Sequence, residues 1–424
     1  MSKSLFRSPR GTRDILAPES TRRHQLVNRF GEIAERSGFG LLESPIFEDV
    51  SVFQRIGAST DIVTKELFEF NDKGNPPQRL ALRPELTAGV CRAFAQHRPT
   101  VPWKVWYHGP QFRYERPQSG RYRQFMQVGA ETLGSDDPHA DVEMIGLGLS
   151  FYEAVGLRRV RLLLNSLGDV ESRSAYRYAL TRYLQQRSTE LTEQSLATLG
   201  VNPLRVLDSK RPADQPVISE APVMTDFLTE ESAAHFQEVQ DCLDGLDVSY
   251  ELAPRLVRGL DYYTRTTFEF VTDSLAAAQN AVGGGGRYDG LVESLGGPST
   301  PGIGLALGVD RTLLACEAEG VLAEVSSAVR VFVVDTVGGS QAVGLCDRLR
   351  RAGISTDRAF DRRSMKAQMK LADRSEARIA VIVGPDEQSE GVVSVRDLRS
   401  HAGQQKIPEA DTVKTVKRLL STLS

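Results

Sequence analysis

A chain of 424 residues with 25% charged and 40% apolar side chains is long enough for roughly two to three domains and has a folded, globular balance rather than a disordered one. Lys and Arg number 52 against 55 Asp and Glu, a net charge of −3. No run of about 18 apolar residues occurs, and the opening MSKSLFRSPRGTRDIL lacks the apolar core of a secretory leader, so a cytoplasmic protein without membrane spans is expected.

In chain order, residues 22–36 carry Leu26, Val27, Phe30 and Ile33 at helical spacing, and strand-like runs follow at 101–107 and 123–129. Residues 1 to about 165 therefore read as mixed helices and strands. Within this block lies LALRPELTAGVCRAF, where Pro84 biases Arg83 toward an extended backbone and a helix starts just beyond Glu85 and Thr87. A carboxylate and a hydroxyl two residues apart suit a compact ammonium with three donors. They equally suit capping of the helix that follows, and both readings stand.

The segment WKVWYHGPQFRYERPQSGRYRQFMQVGAE, 103–131, reads as a long antiparallel hairpin with its loop around Pro117 and Gly120. Arg113, Arg116, Arg121 and Arg123 alternate with Phe112, Tyr114, Tyr122 and Phe125, combining phosphate charge with flat surfaces on which a purine can stack. Period-2 alternation sets Arg123, Phe125, Gln127 and Glu131 on one face of the return arm.

Residues from about 170 to 235 are polar and read as inserted surface helices. Strand patterns return with RLVRGLDYYTRTTFEFV, in which Arg258, Asp261, Tyr262 and Tyr263 precede a strand. An arginine there can neutralise phosphate and paired tyrosines can wall an aromatic pocket, or the run is structural. AVGGGGRYDGLVESLGG offers four successive glycines for close approach of a ligand. PGIGLALGVDR then sets Arg311 in the first turn of a helix, where a cation opposes the helix dipole and so suits either an anionic ligand or plain solvent. The helix is expected to end at Gly320. The glycine spacing fits neither a dinucleotide fingerprint nor a P-loop.

A boundary is expected within 322–330, giving domains 1–325 and 326–424. The tail alternates strand, helix, helix and strand (VRVFVVD, GSQAVGLCDRLRRAG, SMKAQMKLADRS, ARIAVIVG), a small α/β pattern with a buried sheet. Residues 330–424 hold 17 basic and 12 acidic side chains, leaving 35 and 43 for the rest, so the tail is the basic end, a weak pointer to a polyanion partner. Cys91, Cys242, Cys316 and Cys346 lack metal-ligand or disulfide spacing.

These segments together resemble the class II aminoacyl-tRNA synthetases, and among them the histidyl-tRNA synthetase family. SPIFEDVSVFQRIG, with Pro45, resembles motif 1; FRYERPQSGRYRQFMQVGAE motif 2; and GIGLALGVDR motif 3. RGTRDIL resembles the family's opening, and LVRGLDYYTRT and GGGGRYDGL are the segments particular to the histidine enzymes. The resemblance implies an α+β class II catalytic domain built on an antiparallel sheet, a helical insertion, and a C-terminal α/β anticodon-binding domain. It implies a histidine–tRNA ligase using ATP, Mg2+ carried by the ATP rather than by a protein metal site, L-histidine and tRNA(His), in a homodimer joined through motif 1.

By the same resemblance Arg113 meets the α-phosphate, Arg311 the γ-phosphate, and Arg258 takes the catalytic place near the α-phosphate. Arg121, Tyr122 and Phe125 are further candidates for ATP contact. Histidine is expected at Glu85, Thr87, Gln127, Glu131, Tyr262, Tyr263 and Tyr288, and the tRNA acceptor end at Arg116 and Gln118. Thr264 stands where the family pattern has Asn. Two alternatives remain at this level: a non-catalytic, histidine-sensing regulatory paralogue of the ATP phosphoribosyltransferase system, and a class II synthetase with another specificity.

Overall fold

A computed structural model describes residues 6–57, 60–118, 120–207, 209–256, 262–276, 280–322, 329–400 and 403–421. The chain forms two compact units, Met1–Ala323 and Glu324–Ser424. The expected boundary at 325/326 falls in 323–328, outside the described residues.

The strands of the first unit, in chain order, are β1 (Gly40–Leu41), β2 (Phe47–Asp49), β3 (Phe68–Asn71), β4 (Arg79–Leu82), β5 (Trp103–Phe112), β6 (Gln124–Leu133), β7 (Val160–Ser166), β8 (Glu251–Leu252), β9 (Thr264–Thr272), β10 (Ala281–Arg287) and β11 (Gly302–Gly308). Eight of them form one sheet in the order β1-β5-β6-β11-β10-β9-β7-β8, antiparallel except for its two outermost pairs. The sheet β2-β4-β3 stands apart. The hairpin read from sequence is real: β5 and β6 pair from Trp103 opposite Leu133 to Phe112 opposite Gln124.

Alternation divides the large sheet into two faces. Trp106, Val128, Ala130, Ile303, Leu305 and Leu307 point to one side, where the helices Glu19–Arg36 and Pro138–Ala154 cover them with Phe30, Ile145 and Phe151. Val105, Tyr107 and Leu133 point to the other, against Leu86, Phe94 and Tyr288. The helix Val309–Glu319 ends, as expected, at Gly320 in the left-handed conformation, φ 68°.

The insertion departs from its reading as polar surface helices. Tyr176, Leu180 and Leu184 of helix Val170–Gln186 recur every four residues and bury a small core of their own with Val206, Val217 and Met224. The helix Glu230–Gly245 belongs to the main core through Phe236, Val239 and Leu243. An Arg- and Gln-rich composition hid a regular apolar stripe.

In the second unit, β12 (Val331–Asp335), β13 (Thr356–Arg358), β14 (Ile379–Val383), β15 (Val392–Asp397) and β16 (Gln405–Pro408) form a sheet in the order β13-β12-β14-β15-β16. β12 pairs in parallel with β13 and β14, and every residue of β12 and β14 is buried, as continuous apolar runs require.

One buried ion pair locks the first unit. Arg287, at the end of β10, is fully buried and makes a paired contact with Asp141 (Nη2–Oδ1 2.6 Å, Nε–Oδ1 3.0 Å), while its remaining donors reach the carbonyls of Ser135 and Asp137. The second oxygen of Asp141 accepts from Thr266, and His235 Nε2 lies 2.7 Å from it. Asp141→Ala strands a buried guanidinium, so a loss of about 3–5 kcal/mol is expected in the urea unfolding of the first unit. An unchanged midpoint would remove the pair from the stability of the fold.

Candidate active site

The second face of the large sheet forms the floor of a cavity of about 530 Å³. Gly304, Ala306 and Gly308 line it, alternating with the buried Ile303, Leu305 and Leu307 of the same strand. Their smallness has a specific cause at Gly304, which pairs across the sheet with Glu131: a Cβ there would lie 1.5 Å from Glu131 Oε2. The four glycines of β10 divide their roles. Gly283 and Gly284 line the cavity, while Gly285 and Gly286 lie against neighbouring backbone, where a Cβ would approach carbonyl oxygens to 2.0 and 2.8 Å.

One group of lining residues is cationic. Arg113 follows β5, donates from Nε to the Pro84 carbonyl (2.9 Å) and lies 5.2 Å over the Phe125 ring. Arg311 donates to the carbonyls of Gly120 (3.2 Å) and Ala281 (2.8 Å), which ties the start of its helix to the hairpin loop and to β10. Burial, with Arg121 and Arg113 nearby, lowers the Arg311 pKa from its ordinary value. Arg121, Tyr122 and Phe125 line the same cavity, with Glu115 and Glu269 among the carboxylates.

A second group is polar and aromatic: Glu85, Thr87, Gln127, Tyr262, Tyr263 and Tyr288. Both carboxylate oxygens of Glu85 accept from the start of helix Thr87–His97, from the backbone N–H of Thr87 (2.7 Å) and Ala88 (2.9 Å). Glu85 is thus a helix cap that also faces the cavity. Burial raises its pKa, against the pull of these bonds and of Arg113. Tyr262 and Tyr263 have ring centres 4.7 Å apart, and Tyr262 meets Tyr288 edge-on at 5.8 Å. Gln127 Oε1 is buried with no hydrogen-bond partner among the described residues.

Glu131 differs from its expected position on the cavity wall. It is fully buried one layer behind, where Thr87 Oγ1 (2.7 Å) and Tyr107 Oη (3.0 Å) donate to Oε1 and Tyr288 Oη donates to Oε2. Burial pushes its pKa up to about 8 despite those three hydroxyls.

Arg123 also departs from the expected shared face. It precedes β6, and its guanidinium lies 3.6 Å over the Tyr114 ring and donates to the Glu115 carbonyl, away from the cavity. Arg116 and Gln118 are exposed on the hairpin loop and do not line the cavity. Arg258 and Asp261 lie outside the described residues. Thr264 exchanges hydrogen bonds with Asp289, accepting its backbone N–H at 3.2 Å.

Tyr107 and Lys210 are additions that sequence reasoning missed. Tyr107 was legible in principle, since β5 alternation sets it opposite Gly129, where a Cβ would lie 2.4 Å from its hydroxyl. Lys210 reaches the cavity wall from the insertion, a tertiary arrangement without a local signal.

The raised pKa of Glu131 sets a sign for stability. Its ordinary value is about 4.3, so from about pH 4.5 to 8 the ligand-free folded state holds a proton that the unfolded chain releases, and stability from this group falls as pH rises through that window. Glu131→Gln removes the titration, so its melting temperature should gain on that of the unaltered protein from pH 5 to 8.5. Parallel curves would show that Glu131 does not titrate there.

Comparison with known proteins accords with this geometry. A family model described as "Histidyl-tRNA synthetase" matches residues 11–312, and one described as "Anticodon binding domain" matches residues 329–419. The histidine–tRNA ligase of Streptomyces coelicolor is 48% identical over 406 residues, covering 94% of this chain and 94% of its own. That of Corynebacterium urealyticum is 44% identical over 420 residues, covering 98% and 97%. The apo histidyl-tRNA synthetase of S. aureus superposes with a TM-score of 0.81 at 34% identity, covering 97% of this chain and 100% of its own. The chain belongs to the histidyl-tRNA synthetase family and has the class II aminoacyl-tRNA synthetase fold.

Proposed function

We propose that the cavity activates L-histidine with ATP and passes the histidyl group to the 3′-terminal ribose of tRNA(His). The observation that carries this reading is one cavity lined both by Arg113, Arg121 and Arg311 and by a polar, tyrosine-walled recess. In the first step a histidine carboxylate oxygen attacks the α-phosphorus of ATP, the bond to the bridging oxygen breaks, and pyrophosphate leaves. Charge grows on the α-phosphoryl and leaving oxygens, so fixed cations stabilise the transition state beyond the ground state. In the second step a ribose hydroxyl attacks the histidyl carbonyl and AMP leaves.

Arg113 serves the α-phosphate, Arg311 the γ-phosphate, and Arg258 the reacting phosphoryl group, this last on its motif alone. Phe125, Tyr122 and Arg121 hold the adenine and phosphate end. Glu85, Thr87 and Gln127 take the α-ammonium group, whose donors satisfy the otherwise unpaired Gln127 Oε1. Tyr262, Tyr263 and Tyr288 meet the imidazole. Glu131 acts from behind: once the cationic ammonium of histidine enters and the carboxyl group gives up its proton to solvent, it draws the hydroxyl protons of Thr87 and Tyr288, leaving their oxygens as acceptors toward the ligand. Side chains that cannot donate there leave these oxygens unpaired and bind less well.

Magnesium supplies charge neutralisation on the ATP phosphates, which carry the ion. Glu115 and Glu269 are among the carboxylates that line the same cavity. Arg116 and Gln118 are assigned to the tRNA acceptor end and the tail from about 326 to the anticodon.

The assembly is a homodimer joined through motif 1, whose Ile46 and Phe47 are 46% and 49% exposed, with Phe70 of β3 edge-on to Phe47 at 6.0 Å and 41% exposed. A cytoplasmic location accords with the absence, among the described residues, of any helix long and apolar enough to cross a membrane. The regulatory paralogue is disfavoured: the ligases of Streptomyces coelicolor and Corynebacterium urealyticum match 94% and 98% of this chain, and Arg113 and Arg311 both line the cavity.

Pyrophosphate exchange into ATP should depend on histidine and on no other amino acid, and Arg258→Ala should slow it by on the order of 100-fold with little effect on folding. Exchange driven by a different amino acid would overturn the specificity, and a near-normal rate in the variant would remove Arg258 from the chemistry. Sedimentation should give a dimer at micromolar concentration, with Phe47→Glu shifting it toward monomer. A monomeric unaltered protein would refute the motif 1 interface.

A further inference from the structure

The second unit has only two aromatic residues, Phe332 and Phe360. Phe332 is buried at 3% exposure, as a residue of the central strand should be, whereas Phe360 is 61% exposed. Water is a poor neighbour for a phenyl ring with no packing role, and the surroundings of Phe360 are cationic. The Arg358 guanidinium lies 4.5 Å over its ring, and residues 358–370 hold Arg358, Arg362, Arg363, Lys366 and Lys370 against Asp361 alone. That segment contributes 5 − 1 = +4 of the tail's 17 − 12 = +5, so the basic excess is concentrated around one exposed ring.

The fold holds this segment in place. It follows β13, the outermost strand, and so emerges at the carboxyl edge of the parallel trio β13, β12 and β14, where open α/β sheets take their ligands. Asp361 and Arg362 have φ of 67° and 46°, the left-handed region that residues other than glycine enter rarely. The buried Gln368 fastens the turn: its amide donates to the carbonyls of Asp335 (2.6 Å) and Arg363 (2.7 Å), and its oxygen accepts from the Asp335 N–H (3.0 Å). A pinned, unusual backbone that presents an uncovered aromatic among arginines has the chemistry of a stacking platform for unpaired nucleotides, with phosphate contacts beside it.

We infer that the turn 358–366 is where the tail grips single-stranded RNA, an unpaired base of the tRNA anticodon loop stacking on Phe360 while Arg362 and Arg363 meet the flanking phosphates. This rests on the reading that tRNA is the substrate, and it goes further by naming the residues and the mode of contact. Lone stacking rings removed to alanine weaken RNA binding by roughly 5- to 100-fold, so Phe360→Ala should raise the KM for whole tRNA(His) about tenfold and leave kcat and histidine-dependent exchange unchanged. Phe360→Trp should restore the KM. Charging of a minihelix that keeps the acceptor stem but lacks the anticodon arm should be the same for both proteins.

Replacing Arg362 and Arg363 together by alanine should flatten the salt dependence of tRNA binding. An unchanged KM for whole tRNA in Phe360→Ala, or an equal loss with the minihelix, would overturn the proposal. Failure of the unaltered protein to exchange pyrophosphate is a separate result against the catalytic reading. Filter retention of whole tRNA then still decides the role of Phe360, retention unaffected by Phe360→Ala counting against it.

Discussion

A carboxylate sealed from water governs the architecture of the catalytic unit. Glu131 has no exposed surface, and a carboxylate in that condition is tolerated only if hydrogen-bond donors surround it. Its three donors come from distant parts of the chain: Thr87 at a helix start, Tyr107 on β5 and Tyr288 just beyond β10. Satisfying one buried group therefore draws three segments together. Gly304 completes the arrangement, since only a residue without a Cβ leaves room for Oε2 on the neighbouring strand. Directed at Glu131, the hydroxyls of Thr87 and Tyr288 keep oxygen lone pairs on the side of the recess.

A buried ion pair fixes the strand end beside Tyr288. Arg287 and Asp141 are both fully buried, and Arg287 immediately precedes Tyr288 in sequence. The pair joins β10 to the helix Pro138–Ala154, and Asp141 extends the connection to β9 through Thr266 and to the helix Glu230–Gly245 through His235. Tyr288 thus leaves an anchored strand end. Breaking such a pair costs far more than the pair itself contributes, because the remaining charge has neither water nor partner. With the Arg287–Asp141 pair before it and its own hydroxyl bonded to the buried Glu131, Tyr288 gives the cavity wall little freedom to relax.

Two members of the cationic group are held differently, by backbone carbonyls, while the third, Arg121, lies against the Glu115 carboxylate. Arg113 leans on the Pro84 carbonyl and Arg311 on those of Gly120 and Ala281. Neutral acceptors orient a guanidinium without cancelling its charge, so its field remains available to an anion. The site of Arg311, in the first turn of a helix and close to Arg121 and Arg113, disfavours a cation, and an anion bound there, as proposed above, would turn that repulsion into attraction.

Sequence alone determined the chemistry available and much of the local structure. The β5–β6 hairpin, the helix that begins with Arg311 in its first turn and ends at Gly320, and the apolar strands of the tail follow from period and punctuation, which are properties of neighbouring residues. Most of the site residues that the motifs pointed to do line the cavity. Local pattern could not say that Glu131 lies behind the wall, that Arg123 turns to Tyr114, that Lys210 arrives from the insertion, or that Tyr176, Leu180 and Leu184 close a separate core. Burial depth and side-chain partners depend on what other segments bring near, and those segments meet only when the whole sheet has formed. Charge, size and spacing are written along the chain, whereas which groups lose water, and to whom they turn for hydrogen bonds, is decided by packing in three dimensions.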